Sequence, residues 1–203
     1  RARHKGGGRS EFHGKGRGRS GAARQQDRYR PLGRPEVLKV LQSQDMLPAI
    51  TFIFSRAGCD GALYQCLRSR MVLTSQEEAQ QIKDIVDAGV EGIPEEDLQV
   101  LDFKRWREAL SRGFAAHHAG MLPAFRHIVE DLFVRGLVRA VFATETLALG
   151  INMPARTVVL EKLIKFNGEA HVDLTPGQYT QLTGRAGRRG IDTLGNAVVQ
   201  WAP

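Results

Sequence analysis

The sequence predicts an α/β fold, a parallel sheet flanked by helices, with a helical insertion and a basic N-terminal tail that does not fold. Three observations predict it. Short, mostly apolar runs at residues 49–54 (AITFIF) and 138–143 (VRAVFA) lack strict polar alternation, as strands covered on both faces do. Segments of helical periodicity separate these runs, which is the pattern of right-handed crossovers between parallel strands. Small, hydroxyl and histidine residues follow the runs, at the sheet edge where open α/β folds bind ligands.

The elements follow in order. Residues 1–34 hold 11 Lys/Arg against Glu11 and Asp27, a net charge of +9, and 8 of the 22 glycines. Such a segment has too little apolar surface to offset the entropy of ordering. It reads as a solvated linker or as a diffuse, salt-sensitive phosphate binder. The body, residues 35–203, keeps 18 basic and 20 acidic residues, a net of −2, so a case for nucleic acid there must come from placed residues. A helix is expected over 36–44, a strand over 49–54 and a helix over 57–68. Residues 71–112 read as an all-helical insertion in which Thr74 and Glu77 form a capping box, the helix they open runs to about Ala88, and Pro94 begins another. Strands are expected at 114–117, 138–143, 156–160 and 196–201, with a helix at 123–135. Thr175 caps a further helix whose first residue is Pro176, where a missing N–H costs nothing.

At 203 residues the chain suits one domain plus an appendage, and its 42% hydrophobic and 25% charged residues exclude collagen-like, mucin-like and wholly disordered classes. No apolar run reaches the roughly 18 to 20 residues that span a bilayer. With no starting Met and no leader pattern, the chain reads as a cytoplasmic excerpt of something longer, without a membrane partner. Cys59 and Cys66, two helical turns apart, form no metal spacing and are expected to be buried, reduced thiols.

Three strand ends carry candidate chemistry: Ser55-Arg56-Ala57-Gly58, His117-His118-Ala119-Gly120 and Thr144-Glu145-Thr146. Ser55 and Thr144 suit helix N-caps, and a capped helix N-terminus is also a phosphate site. The segment 178–192 (QYTQLTGRAGRRGID) places Gln181, Arg185 and Arg188 at spacings of four and three, which puts them on one face of a continuous helix. Gly184, Gly187 and Gly190 clear space for a partner or phosphate. The planar, permanently charged guanidinium suits charge developing on a transferring phosphoryl group. The same residues also suit dipole and cap chemistry at a helix C-terminus. His117 and His118 have no Cys, Asp or Glu at ligand spacing, so no metal site is expected. Trp106 and Trp201 read as packing residues ahead of base-stacking ones.

GRAGRRG preceded by Gln181, ATETLALGINMPAR at 143–156, AAHHAGMLP at 115–123 and FIFSRAGC at 52–59 resemble motifs VI, V, IVa and IV of superfamily 2 helicases. The detailed wording, with KFNG at 165–168, resembles the DExH-box RNA helicases of the superkiller and exosome-associated group, above all their bacterial HelY-type members. The resemblance covers residues 35–203 and implies the second of two RecA-like lobes, with the tail as the inter-lobe segment. It implies an ATP-dependent helicase that hydrolyses ATP with Mg2+. No GxxxxGK[ST] or DExH sequence occurs here, so ATP and Mg2+ would be held mainly by a first lobe acting as partner, and these residues alone would be inactive. By resemblance, Arg185 and Arg188 are arginine fingers, Gln181 positions phosphate or water, and Gly150 and Asn152 meet the nucleotide. Asn152 stands where DEAD-box relatives usually have Asp. Ser55, Arg56, His118, Gly120 and Thr144 match positions that grip the nucleic-acid backbone. RNA as partner follows from the resemblance alone. Backbone contacts do not report the sugar, so a DNA translocase lobe stays open, as does a non-enzymatic RNA-binding module.

Overall fold

The computed structural model describes residues 31–149 and 153–200. The expectations for the tail up to residue 30, Gly150, Asn152 and Trp201 lie outside the described residues.

The chain enters with α1 (Arg34–Ser43), β1 (Ala49–Phe52) and α2 (Arg56–Arg68). It continues through α3 (Gln76–Gly89), α4 (Glu95–Val100) and α5 (Phe103–Ser111). Then come β2 (Phe114–His117), α6 (Pro123–Val134), β3 (Ala140–Ala143) and a 3-10 turn over Glu145–Leu149. The remaining elements are β4 (Thr157–Leu160), β5 (Ile164–Phe166), β6 (His171–Asp173), α7 (Pro176–Thr183) and β7 (Asn196–Val199). Five strands form a parallel sheet in the order β2-β3-β1-β4-β7. This is the α/β architecture the sequence predicts, with strands shorter than the apolar runs that announced them.

Alternation along the buried strands builds two cores, one on each face. Ile50, Phe52, Val141, Val158 and Leu160 point to the face covered by α3, α5, α6 and α7. Ala49, Phe114, Phe142 and Val159 point to the face covered by α1 and α2, where Cys59 and Cys66 are fully buried and free. Burial in apolar surroundings pushes both thiols up to about 12. Trp106 is buried and stacks on Phe125 with ring centroids 4.1 Å apart, so it packs the core.

The capping box falls one residue later than the sequence suggested, on Ser75 and Glu78. Thr74 is taken by a tertiary contact: its hydroxyl donates to the Ser111 carbonyl at 2.6 Å, which ties the start of the α3–α5 segment to its end. The two-stranded antiparallel sheet of β5 and β6 was not foreseen.

Candidate nucleotide and nucleic-acid interface

Because the five strands run parallel with Phe52, His117, Ala143, Leu160 and Val199 in register, all carboxyl ends lie along one rim. Ser55 caps α2 there, its hydroxyl accepting from the Gly58 amide at 2.8 Å. Arg56 begins that helix and is exposed. The loop after β2 brings His118 and Gly120 against it: a side chain at Gly120 would start 3.2 Å from the Arg56 Cδ and 3.2 Å from the His118 Nδ1. The Gly120 amide donates to His118 Nδ1 at 3.2 Å, which leaves Nε2 to carry the proton and donate to Asp60 at 3.0 Å. Thr144 follows β3, and its amide donates to the His117 carbonyl at 3.3 Å. Its hydroxyl lies 3.0 Å from that of Thr146. The rim thus brings together all five residues proposed from the sequence to meet a nucleic-acid backbone.

The second group of residues sits elsewhere and differently from the expectation. Helix α7 ends at Thr183 with Gly184 as its C-cap, so Gln181 alone lies on the helix, exposed on its last turn. Arg185 and Arg188 do not share a helical face with it. The chain leaves the helix because the segment after it pairs with Ala155, two residues ahead of β4: Ala155 donates to the Arg185 carbonyl at 3.1 Å, and Gly187 donates back to the Ala155 carbonyl at 2.7 Å. That parallel bridge places Ala186 beside Ala155, at the amino end of β4 and away from the rim. Gly187 has φ of +89°, a left-handed conformation that side chains resist, which turns the chain toward Arg188. The Arg185 guanidinium donates to the Ala148 carbonyl in the 3-10 turn that starts at the rim. Residues 144–148 therefore reach from the rim to the carbonyl that Arg185 meets.

Arg188 is held by a residue the sequence reading missed. Asp192 accepts from the Arg188 amide at 2.9 Å, from Nε at 2.8 Å and from Nη2 at 2.8 Å. Arg156 donates to the same carboxylate at 3.0 Å and reaches Asp45 at 2.7 Å. These bonds to the ionised form hold the Asp192 carboxyl well below the usual carboxylate range. The available signal was the i, i+4 spacing of Arg188 and Asp192. Mg2+, which the resemblance implies, finds no group of three donors among the described residues. The carboxylate beside the arginines already has both oxygens engaged.

The paired histidines have carboxylate partners that linear spacing does not show, Asp60 for His118 and Glu130 for His117, the latter at 2.8 Å. These are hydrogen-bonded pairs, and no metal group forms among the described residues. Also unforeseen is a cavity of about 520 Å³ between the end of β1 and the β5–β6 hairpin. Its lining includes Phe54, Ser55, Lys162, Lys165, Phe166 and His171, and Lys165 pairs with Glu145 of the 3-10 turn at 2.9 Å.

Residues 95–190 match the model of the helicase conserved C-terminal domain. A probable helicase HelY of Mycobacterium tuberculosis is 67% identical over 175 residues, 86% of this chain and 19% of that protein. The DExH-box ATP-dependent RNA helicase DExH11 of Arabidopsis thaliana is 40% identical over 80% of this chain and 12% of its own length. The antiviral helicase SKI2 of Saccharomyces cerevisiae is 36% identical over 81% of this chain and 13% of its own length. The chain thus spans a fifth or less of each of these relatives. With this match lying on a five-stranded parallel sheet flanked by helices, the chain carries a RecA-like helicase C-terminal domain and is similar over that domain to helicases of the HelY and superkiller kind.

Proposed function

We propose that these residues form the second motor lobe of an ATP-dependent RNA helicase. In this reading the arginine segment reaches ATP held on a first lobe, and the rim grips the nucleic-acid backbone. The observation that carries it is the link between the two groups: Thr144 stands at the rim, and four residues on the Ala148 carbonyl accepts from the Arg185 guanidinium. A change at the nucleotide then has a short path to the strand, through the Arg185–Ala148 hydrogen bond and residues 144–148.

The chemistry asked of each residue is limited. Arg188 presents a guanidinium with one edge engaged by Asp192 and, among the described residues, no partner on Nη1. That free end is a fork for phosphate oxygens, where charge grows as the γ-phosphoryl group passes to water. Arg185 supports the same segment through the Ala148 carbonyl, and Gln181 on the last turn of α7 is the candidate for orienting water or phosphate. Gly150 and Asn152 are proposed to meet the nucleotide. At the rim, Ser55, Arg56, His118, Gly120 and Thr144 contribute amides, hydroxyls and one cation to phosphates of a passing strand. The adjoining cavity adds Lys162 and the exposed Phe166. ATP and Mg2+ are proposed as held mainly by the first lobe, and RNA as the strand. The protein is proposed to work in the cytoplasm.

The test is RNA-stimulated ATP hydrolysis by the full-length protein carrying Arg188→Ala. Loss of turnover on the order of 10³-fold or more is expected for a residue that stabilises the transferring phosphoryl group. Near-normal turnover would remove Arg188 from the reaction.

A further inference from the structure

We infer that Asp192 is a positioning residue for Arg188, fixing its guanidinium so that the end made by Nη1 and Nη2 faces the nucleotide. The inference depends on the finger reading of Arg188 given above. A free arginine side chain samples many rotamers, and each must be given up when it meets phosphate. Here the cost is met before any ligand arrives. Asp192 takes Nε and one Nη2 hydrogen of Arg188 in a two-point contact, and takes the backbone amide of the same residue as well, so both ends of the side chain are fixed. The guanidinium is planar and carries five hydrogens. With two engaged along one edge, the two on Nη1 and the second on Nη2 form another fork, directed away from the carboxylate.

The carboxylate is itself anchored. Its side chain is 2% exposed, and it shares Oδ1 with Arg156 Nε at 3.0 Å. Arg156 is the residue just before β4, and its Nη1 donates to both the carbonyl and the carboxylate of Asp45, ahead of β1. The series Arg188, Asp192, Arg156, Asp45 therefore ties the guanidinium to the amino ends of two central strands. The turn between them is closed by the Asp192 amide donating to the Arg188 carbonyl at 2.9 Å. Two guanidiniums alternating with two carboxylates leave the group without excess charge, so a phosphate oxygen meets an oriented donor instead of a mobile cation.

The full-length protein is assayed for RNA-stimulated ATP hydrolysis as Asp192→Ala, Asp192→Asn, Arg188→Ala and the double variant Arg188→Ala/Asp192→Ala. Asp192→Asn keeps the shape and one acceptor, and serves if the alanine variant folds poorly. RNA affinity, which the rim supplies, reports folding of the lobe. The expected result is a fall in kcat of roughly 10²-fold for Asp192→Ala, the scale of a small displacement of a reacting group. A smaller fall is expected for Asp192→Asn, with KM for ATP and RNA affinity little changed, and a double variant no slower than Arg188→Ala. Asp192 variants with wild-type kcat beside a disabled Arg188→Ala would overturn the positioning role and leave the finger reading intact. A double variant slower than Arg188→Ala by the full Asp192 effect would also overturn it, since Asp192 would then act independently. Normal turnover in Arg188→Ala would sink the finger reading itself, and this inference with it.

Discussion

His117 closes β2 with its ring buried beside the rim, Nε2 bonded to Glu130 and Nδ1 without a partner among the described residues. Burial lowers its pKa below the ordinary 6.5, with Glu130 opposing the shift. The unfolded ring therefore binds a proton at higher pH than the native ring. The stability this provides is complete above about 6.5 and is lost as pH falls from there toward the native value. Thermal unfolding of His117→Gln is expected to depend less steeply on pH between about 7 and 5.5 than the wild type. An unchanged slope would show that His117 does not carry this dependence. At this scale the sequence identified the rim residues well, because glycine, hydroxyl and histidine residues directly after a buried strand have few other places to go. It did not reveal Asp60, Glu130 or Asp192. The first two act across the fold, at separations that only the crossovers bring together, and Asp192 is an ordinary acidic residue until the turn at Gly187 places it under Arg188.

The element that departs most from expectation is the segment after α7. Its start was legible, since Thr175 and Gln178 satisfy each other's backbone amides and Pro176 takes the first helical position. Its end was not. Spacing suggested a helix long enough to align Gln181, Arg185 and Arg188, but pairing with Ala155 draws the chain into an extended path at Ala186. Gly195 makes that path possible: a side chain there would lie 2.5 Å from the Ala186 carbonyl carbon and 2.6 Å from the Gly187 amide nitrogen. Both are backbone atoms that cannot rotate aside. Gly195→Ala is expected to lower stability by about 1 to 3 kcal/mol, the usual scale of overpacking. Chemical denaturation measures it, and a midpoint equal to the wild type would contradict the close approach. The β5–β6 hairpin escaped notice because each strand has three residues and largely exposed faces, without an apolar run. Its turn was signalled by Asn167-Gly168, where Asn167 Oδ1 accepts from the amides of Glu169 and Ala170 and Gly168 has φ of +106°.

Across the whole molecule, the sheet was the most legible feature, because strands buried on both faces must be apolar along their length and Ile50, Phe52, Phe142, Val158 and Val159 are. The division of labour was less so. Parallel strands in register put the nucleic-acid candidates on one rim, while the arginine candidates lie at the amino end of β4, and the Arg185–Ala148 hydrogen bond links them. The proposed role as one half of a motor is tested most directly by RNA-stimulated ATP hydrolysis measured for the 203-residue chain beside the full-length protein. Turnover in the full-length protein and none above background in the chain alone is the predicted result. Robust hydrolysis by the chain alone, lost on Arg185→Ala, would contradict it.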